Sequence, residues 1–262
     1  GILDIRFAYI QQPFDLEICE EIAQEIMKNG VRVRMTKGEE DTFFFFDQND
    51  DNFCPVLIFS AMCGDKMTEL RDRLLSTASI QPFGWMEGCV LDGLSSMVEK
   101  GDPDASSAIT MHLEKFIVNG SLVYEDPRGT ICDDKIYGIE AGLPFAIMAL
   151  HGIGESPIKL FKKFVESVPI DAVITDSEFL SAEGSYTIAY PLALMGRLQG
   201  DKALIDRAVK QLLVRKEVLR QGKDLYLRSS EGHKSFKNWG RAYVWYLMGL
   251  VHALHQMKLS NL

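Results

Sequence analysis

The sequence predicts an all-α protein whose helices pair into hairpins set in a closed ring. Two observations lead there. From Pro82 onward one unit recurs about every 50 residues: a glycine-aromatic-acidic corner, an apolar helix, a glycine break and an outer amphipathic helix. The first helix of each pair is apolar on several faces and the second on one. A ring with an inner wall and an outer cover requires that difference, whereas an open solenoid leaves one helix face in water.

In chain order, residues 4–12 alternate weakly and fit a short strand or a helix fragment. Phe14 to Lys28 carries Leu16, Ile18, Cys19, Ile22, Ala23, Ile26 and Met27 at three- and four-residue spacing, and Asn29-Gly30 stops it, so a helix is expected. Val31 to Met35 alternates like a strand, and Phe43 to Phe46 is its candidate partner. The acidic run Asp47 to Asp51 lacks the glycine and distal glutamate of a calcium loop and is expected to be a solvated loop. Val56 to Ala61 is an apolar run of undetermined type, and Lys66 to Thr77 is helical. Residues 1–80 thus form an irregular N-terminal part of one 262-residue domain, with a small β excursion near residues 31–60.

The repeats follow. Phe83-Gly84-Trp85-Met86-Glu87-Gly88 opens an apolar helix ending near Lys100-Gly101, and Ala105 to Val118 is its partner. Tyr137-Gly138-Ile139-Glu140-Ala141-Gly142 opens the next, which breaks at Gly152, with Pro157 to Ser167 beside it. Ala182-Glu183-Gly184-Ser185-Tyr186 opens the third, which breaks at Gly200, with Leu204 to Arg220 beside it. Trp239-Gly240-Arg241 opens the fourth, apolar from Val244 onward and expected to be buried on most sides. Every corner precedes an inner helix, so the corners gather at one end of the ring, where helix N-termini also favour anions.

Composition narrows the function. The net charge of -9 argues against a nucleic-acid partner, and no apolar run is long enough for a membrane span. An acidic protein with an anionic ligand needs a local basic spot, which Arg241 supplies. Cys19, Cys54, Cys63, Cys89 and Cys132 are odd in number and lack C-x-x-C spacing. That argues against a zinc site or a full disulfide framework and favours reduced thiols, hence a cytoplasmic location, with a removed signal peptide as the alternative.

The most informative corner is Trp239-Gly240-Arg241. An indole face stacks on a pyranose, and a guanidinium fork pairs with a carboxylate, so the two suit an anionic sugar. The structural alternative is a tryptophan anchoring a helix start and an arginine on a surface carboxylate. Elsewhere, Asp133-Asp134 fit an N-cap for the helix near Tyr137, Glu183 a first-turn glutamate, and Trp85 a core residue. His112, His151, His252 and His255 lack ligand spacing and are expected to be structural or superficial.

Four stretches resemble the unsaturated uronyl hydrolases of glycoside hydrolase families 105 and 88. Phe83 to Leu94 looks like their first corner, W-x-x-x-x-G-V-x-x-x-G-L. Cys132-Asp133-Asp134-Lys135-Ile136 looks like L-D-D-I/M. Glu183 to Leu192 resembles D-G/T-L-Y-M-A-x-P-F, and Asn238 to Leu254 is similar to F-W-G-R-G/A-x-G-W-x-x-x-A-L. The resemblance covers about residues 80–256. It implies a six-hairpin (α/α) toroid and hydration of the C4–C5 double bond of an unsaturated uronic acid ending an oligosaccharide. One carboxylic acid protonates C4, water traps the cation at C5, and the hemiketal opens to release the sugar; no metal or organic cofactor is needed. Such chemistry wants two carboxylates whose surroundings push their pKa values apart. The implied acids are Glu183, with one residue inserted before Tyr186, and Asp133 or Asp134. Arg241 is the implied uronate clamp and Trp239 the stacking platform, with Trp85, Trp245 and Tyr186 as further substrate contacts. Where the pattern has His-Gly-Trp-Asp, this chain has Leu227 to Ser230, and His233 follows as a substitute. The alternatives are a saccharide-binding relative without turnover and a sugar epimerase on the same toroid. Oligomeric state is left open.

Overall fold

The computed structural model describes residues 17–29 and 66–260. These fall into two compact units, 17–29 with 66–79 and 80–260. Among the described residues no helix is long and apolar enough to cross a membrane. The expected strands at 31–35 and 43–46, the acidic run 47–51, the apolar run 56–61 and residues 4–12 lie outside the described residues.

In the first unit, α1 spans Glu20–Asn29 and buries only Ala23. It starts later than the spacing predicts, because residues 17–19 are irregular. Helix α2 spans Lys66–Leu75. Ser76 closes it by donating its hydroxyl to the Arg73 carbonyl (2.8 Å), and a 3-10 turn follows at Thr77–Ser79.

The second unit carries the repeats. Helix α3 (Trp85–Glu99) is followed by α4 (Ala105–Glu114), α5 (Pro144–His151) by α6 (Glu155–Glu166), and α7 (Tyr190–Gln199) by α8 (Lys202–Leu219). Helix α9 spans Gly240–Ser260. The predicted pairing holds: α3, α5, α7 and α9 pack side by side in that order, and α4, α6 and α8 each pack on the helix they follow. The breaks are where expected, with Gly152 and Gly200 left-handed past α5 and α7 (φ 68 and 65). Asp201 caps α8 by accepting from the Ala203 and Leu204 amides. The helix predicted to reach Val118 ends at Glu114, because a hairpin takes its last residues. Strands β1 (Ile117–Val118) and β2 (Ser121–Leu122) turn through Asn119-Gly120, both at positive φ.

The first and last inner helices, α3 and α9, also meet through side chains. The rings of Trp85, on α3, and Trp245, on α9, are 5.4 Å apart and edge to face. Two steps along the same helices, His252 Nε2 lies 3.7 Å from Asp92 Oδ2. Inside the row Tyr186, Tyr190 and Trp245 pack with Leu143, Ala146 and Leu194. Behind it Phe83 packs against Phe116, Tyr124 and Phe145, and Phe145 stacks on Phe161.

Helix α9 corrects one expectation. It buries Ala242, Trp245, Gly249, Ala253 and Gln256, a single stripe, and leaves Val244 and Val251 at 59% and 63% exposure. Apolar composition therefore overstates its burial. What decides is the small residues in the stripe: a Cβ on Gly249 would sit 2.1 Å from the Ser185 carbonyl carbon, so the backbones touch there.

A hairpin that the helical spacing did not predict joins α8 to α9. Strand β5 (Asp224–Ser230) pairs with β6 (His233–Lys237), and the short strands β3 (Leu180–Ser181) and β4 (Arg220–Gln221) pair with β5. Leu225, Leu227 and Ser229 face inward, and Asp224, Tyr226, Arg228 and Ser230 are half-buried on the other face. This sheet brings Arg228 beside the start of α7.

Candidate active site

Glu183 lies in the turn that leads from β3 into α7. A fully buried guanidinium holds that turn. Arg215, on α8, donates to the carbonyls of Ser181 (2.8 Å), Ile174 (2.6 Å) and Gln211 (3.0 Å) and to the Gln211 side chain (2.9 Å). Burying a cation without an anion is costly, and four oxygens offset the cost. The guanidinium lies so close to the chain that a Cβ on Gly184 would meet its Nη2 at 2.0 Å.

Beyond Gly184 the helix opens as a π turn, Ser185–Ala189, before becoming α-helical at Tyr190. A π turn is how a helix absorbs one extra residue. With it, Glu183 is aimed at Arg241 while Tyr186 and Tyr190 remain stacked inside the row (5.7 Å between centroids).

The Glu183 carboxylate is buried; Oε2 accepts hydrogen bonds, while Oε1 is ion-paired but accepts no aligned hydrogen bond. Ser181 Oγ donates to Oε2 (2.8 Å), Arg228 Nη2 donates to Oε2 (3.4 Å), and Arg241 Nη2 lies 2.6 Å from Oε1. Arg241 also faces a second carboxylate: Glu140 Oε1 is 3.9 Å from the same nitrogen. Glu140 sits on the 3-10 turn Ile139–Gly142 that precedes α5. Burial first, then the neighbouring Glu183 and Asp176 charges, push its carboxyl above the ordinary value, against the pull of Arg241 and Arg228. The Arg241 guanidinium is also 5.5 Å from the Trp85 ring centroid and 5.9 Å from that of Trp239. Two carboxylates, two guanidiniums and two indoles thus meet at one corner. Arg241 remains partly open to solvent, at 35% side-chain exposure.

Three sequence-predicted residues gather here with Arg241: Glu183, Trp85 and Trp239. Others do not. The Asp133 carboxylate accepts from the Tyr124 amide (3.3 Å), and that of Asp134 from the Leu122 amide (2.9 Å). Both hold the loop after β2 rather than capping a helix, and no ion pair or hydrogen bond among the described residues joins either to Arg241. Tyr186 is 2% exposed and donates its hydroxyl to Asp92, which also accepts from Tyr190 (3.2 Å). Trp245 is buried beside it, so both belong to the wall behind the corner. His233 is exposed at the hairpin tip, paired with Ser230. His252 packs on the Tyr186 and Tyr190 rings. His112 is fully buried 2.8 Å from Glu87, a clamp between α3 and α4. Among the described residues no cluster of metal-ligand side chains is present.

Sequence reasoning missed Glu140 and Arg228. Glu140 had a signal, since it stands in the second corner as Glu183 stands in the third. Arg228 had none beyond the alternation of β5, which puts it opposite Ser181.

The architecture is that of helical hairpins in a row, with an acidic and basic corner at one end of the inner helices. Among solved structures the chain is similar to a glycoside hydrolase from family 105 of C. acetobutylicum ATCC 824, with 19% identity and a TM-score of 0.59, covering 75% of this chain and 64% of that one. The likeness is one of fold, and this chain spans under two thirds of that protein's length. No family model matches the chain, and no curated protein does.

Proposed function

We propose that the chain is a glycoside hydrolase of the unsaturated uronyl type, acting on oligosaccharides that end in a Δ4,5-unsaturated uronic acid. The observation that carries this reading is the shared contact of Glu183 and Glu140 with one Arg241 nitrogen. The inner-helix row is read as the wall of an (α/α) toroid, in keeping with the family 105 fold likeness. The uronate ring lies over Trp85, and its carboxylate pairs with the guanidinium fork of Arg241. Glu140, whose surroundings favour the protonated form, donates its proton to C4 of the double bond. The cation that forms at C5 is captured by a water molecule, whose proton passes to Glu183. The resulting hemiketal opens, and the glycosidic oxygen leaves with the remainder of the saccharide. Glu140 and Glu183 thereby divide the acid and base roles by environment.

The test is loss of the ultraviolet absorbance of the C4–C5 double bond on incubation with unsaturated uronyl disaccharides. Turnover by the native protein and its loss in Glu140→Gln and Glu183→Gln is the expected pattern. Absence of bleaching on every pectin- and glycosaminoglycan-derived substrate sinks the proposal. One observation favours a second reading, a saccharide-binding relative without turnover: Glu183 is already ion-paired with both Arg241 and Arg228. Calorimetry showing uronate binding without bleaching selects that reading.

A further inference from the structure

The two oxygens of the buried Glu183 carboxylate have unlike partners. Oε2 faces a fixed frame: Ser181 Oγ, on β3, donates to it at 2.8 Å, and Arg228 Nη2, on β5, donates at 3.4 Å. Strand pairing holds both donors, because Arg228 stands opposite Ser181 on one side of β5 and opposite Ser235 on the other. The Arg228 guanidinium also lies 5.9 Å from the Phe179 ring centroid. Oε1 faces Arg241 at 2.6 Å but accepts no aligned hydrogen bond. Arg241 sits in the first turn of α9, partly open to solvent, so Coulomb attraction rather than a fixed geometry holds it. Arg228 has a donor in reserve: its Nε is buried and, among the described residues, has no hydrogen-bond partner. The uronyl reading turns the Arg241 fork toward the ligand's carboxylate, which loosens its hold on Glu183. A buried charge left without a partner is costly, so a second cation has to take its place.

We propose that Arg228 is a positioning residue, the resident counter-ion of Glu183, which frees Arg241 to turn to an anionic ligand. This rests on the uronyl reading above and adds a step to it. As the ligand's carboxylate takes the Arg241 fork, Arg228 closes on Glu183 with Nε beside Nη2, and the paired donors of a guanidinium suit a carboxylate. Glu183 thereby stays paired and in place to receive the proton from water. Arg228 itself touches neither the ligand nor the reacting atoms. A neutral ligand leaves Arg241 on Glu183 and makes no demand on Arg228. Lysine at this position supplies the charge without the fork, so it replaces Arg228 only in part.

The experiment measures the binding of two ligands by calorimetry in the Glu140→Gln background, where the donor acid is absent. One is an unsaturated uronyl disaccharide, and the other is the same disaccharide with the carboxylate of its unsaturated ring reduced to an alcohol. Adding Arg228→Gln weakens binding of the uronate on the order of tenfold and leaves the neutral analogue as it was, and Arg228→Lys recovers part of the loss. Equal weakening of the two ligands, as from a merely structural role, overturns the proposal while leaving the uronyl reading intact, and so does no weakening of either. A second measurement needs no ligand: urea denaturation of the native protein, Arg228→Gln, Arg241→Ala and the double variant. Each guanidinium covers for loss of the other, so the midpoint shift caused by Arg241→Ala roughly doubles in the Arg228→Gln background. Additive shifts overturn the counter-ion role whether or not a ligand binds. If no uronyl saccharide binds, the coupled shift still supports Arg228 as the counter-ion and leaves the uronyl reading without support.

Discussion

Arg241 Nη2 lies 2.6 Å from Glu183 Oε1 and 3.9 Å from Glu140 Oε1, so a single nitrogen ties the start of α9 to the starts of α7 and α5. The contact joins three repeats, and it also sets the electrostatics of the corner. Glu183 is buried with two guanidiniums and a hydroxyl, whereas Glu140 reaches only the same Arg241 nitrogen, at the longer distance. Arg241→Ala leaves Glu183 buried with a weaker set of partners. Since Arg241 is itself partly exposed, the expected cost is about 1–2 kcal/mol rather than the full cost of breaking a buried pair. Urea denaturation reads the stability, and bleaching of the uronate chromophore reads the expected loss of turnover. An unchanged midpoint would remove the pair from the stabilising contacts.

Glu140 makes a pH prediction with a definite sign. Its folded pKa is raised, so between the ordinary carboxylate value and the raised one the folded state binds more protons than the unfolded state. Stability from this group therefore falls as pH rises through that window and is level on either side. Glu140→Gln removes this dependence, and denaturation midpoints of the two proteins across the acid range should converge at the low end. Turnover follows the same group, declining as pH rises through the raised value because the donor form is lost. A native midpoint profile parallel to that of Glu140→Gln contradicts the assignment.

Asp133 and Asp134 give the opposite expectation. Their carboxylates accept from backbone amides of Leu122 and Tyr124, and Asp134 has φ 49, which asparagine tolerates. Asp133→Asn and Asp134→Asn keep an acceptor oxygen and should leave both turnover and stability within about 0.5 kcal/mol of native. Asp134→Ala loses the acceptor and should cost about 1 kcal/mol. Loss of turnover in either asparagine variant would return these residues to the site.

The repeat was legible because each helix pair carries its own punctuation: left-handed glycines after α5 and α7, and an apolar helix beside an amphipathic one. It also marked the acids, Glu87, Glu140 and Glu183, one in each of the first three corners. Spacing does not say which way a corner acid points. Glu87 turns back, fully buried, to His112 and to the Gln81 amide, while Glu140 and Glu183 turn to Arg241. That choice depends on which helix follows in the row, a tertiary fact. Arg228 was illegible for the same reason, since its role arises from the pairing of β5 with β3 across many residues. Helix α9 shows the converse: its composition suggests burial on most sides, yet the stripe set by Ala242, Gly249 and Ala253 is the face that packs.

That packing supplies a test at Gly249. A Cβ there would stand 2.1 Å from backbone of Ser185, which cannot yield as a flexible side chain can. Gly249→Ala should destabilise by about 2–3 kcal/mol through overpacking, outweighing any gain in helix propensity. Val251→Ala, at a position 63% exposed, should change stability by about 0.5 kcal/mol or less. Equal melting temperatures for the two variants would mean that α9 and the π turn are not in contact.

The π turn makes the last prediction. Ser185–Ala189 carries one residue more than an α-helix would need between Glu183 and Tyr190. Deleting Thr187 lets the segment close into an ordinary α-helix while α7 keeps its register against α9 through Tyr190. Each residue of an α-helix turns the chain by about 100°, so the residues before the deletion rotate by that amount relative to α7. Glu183 then leaves Arg241, and Gly184 leaves the flat face of Arg215. The expected protein keeps its far-ultraviolet helical signal, melts earlier and neither binds nor turns over an unsaturated uronate. Adding Arg241→Ala to the deletion should then cost little further stability, because the pair is already broken, whereas in the native background it costs about 1–2 kcal/mol. Equal costs of Arg241→Ala in both backgrounds would mean that the extra residue is not what aims Glu183 at Arg241.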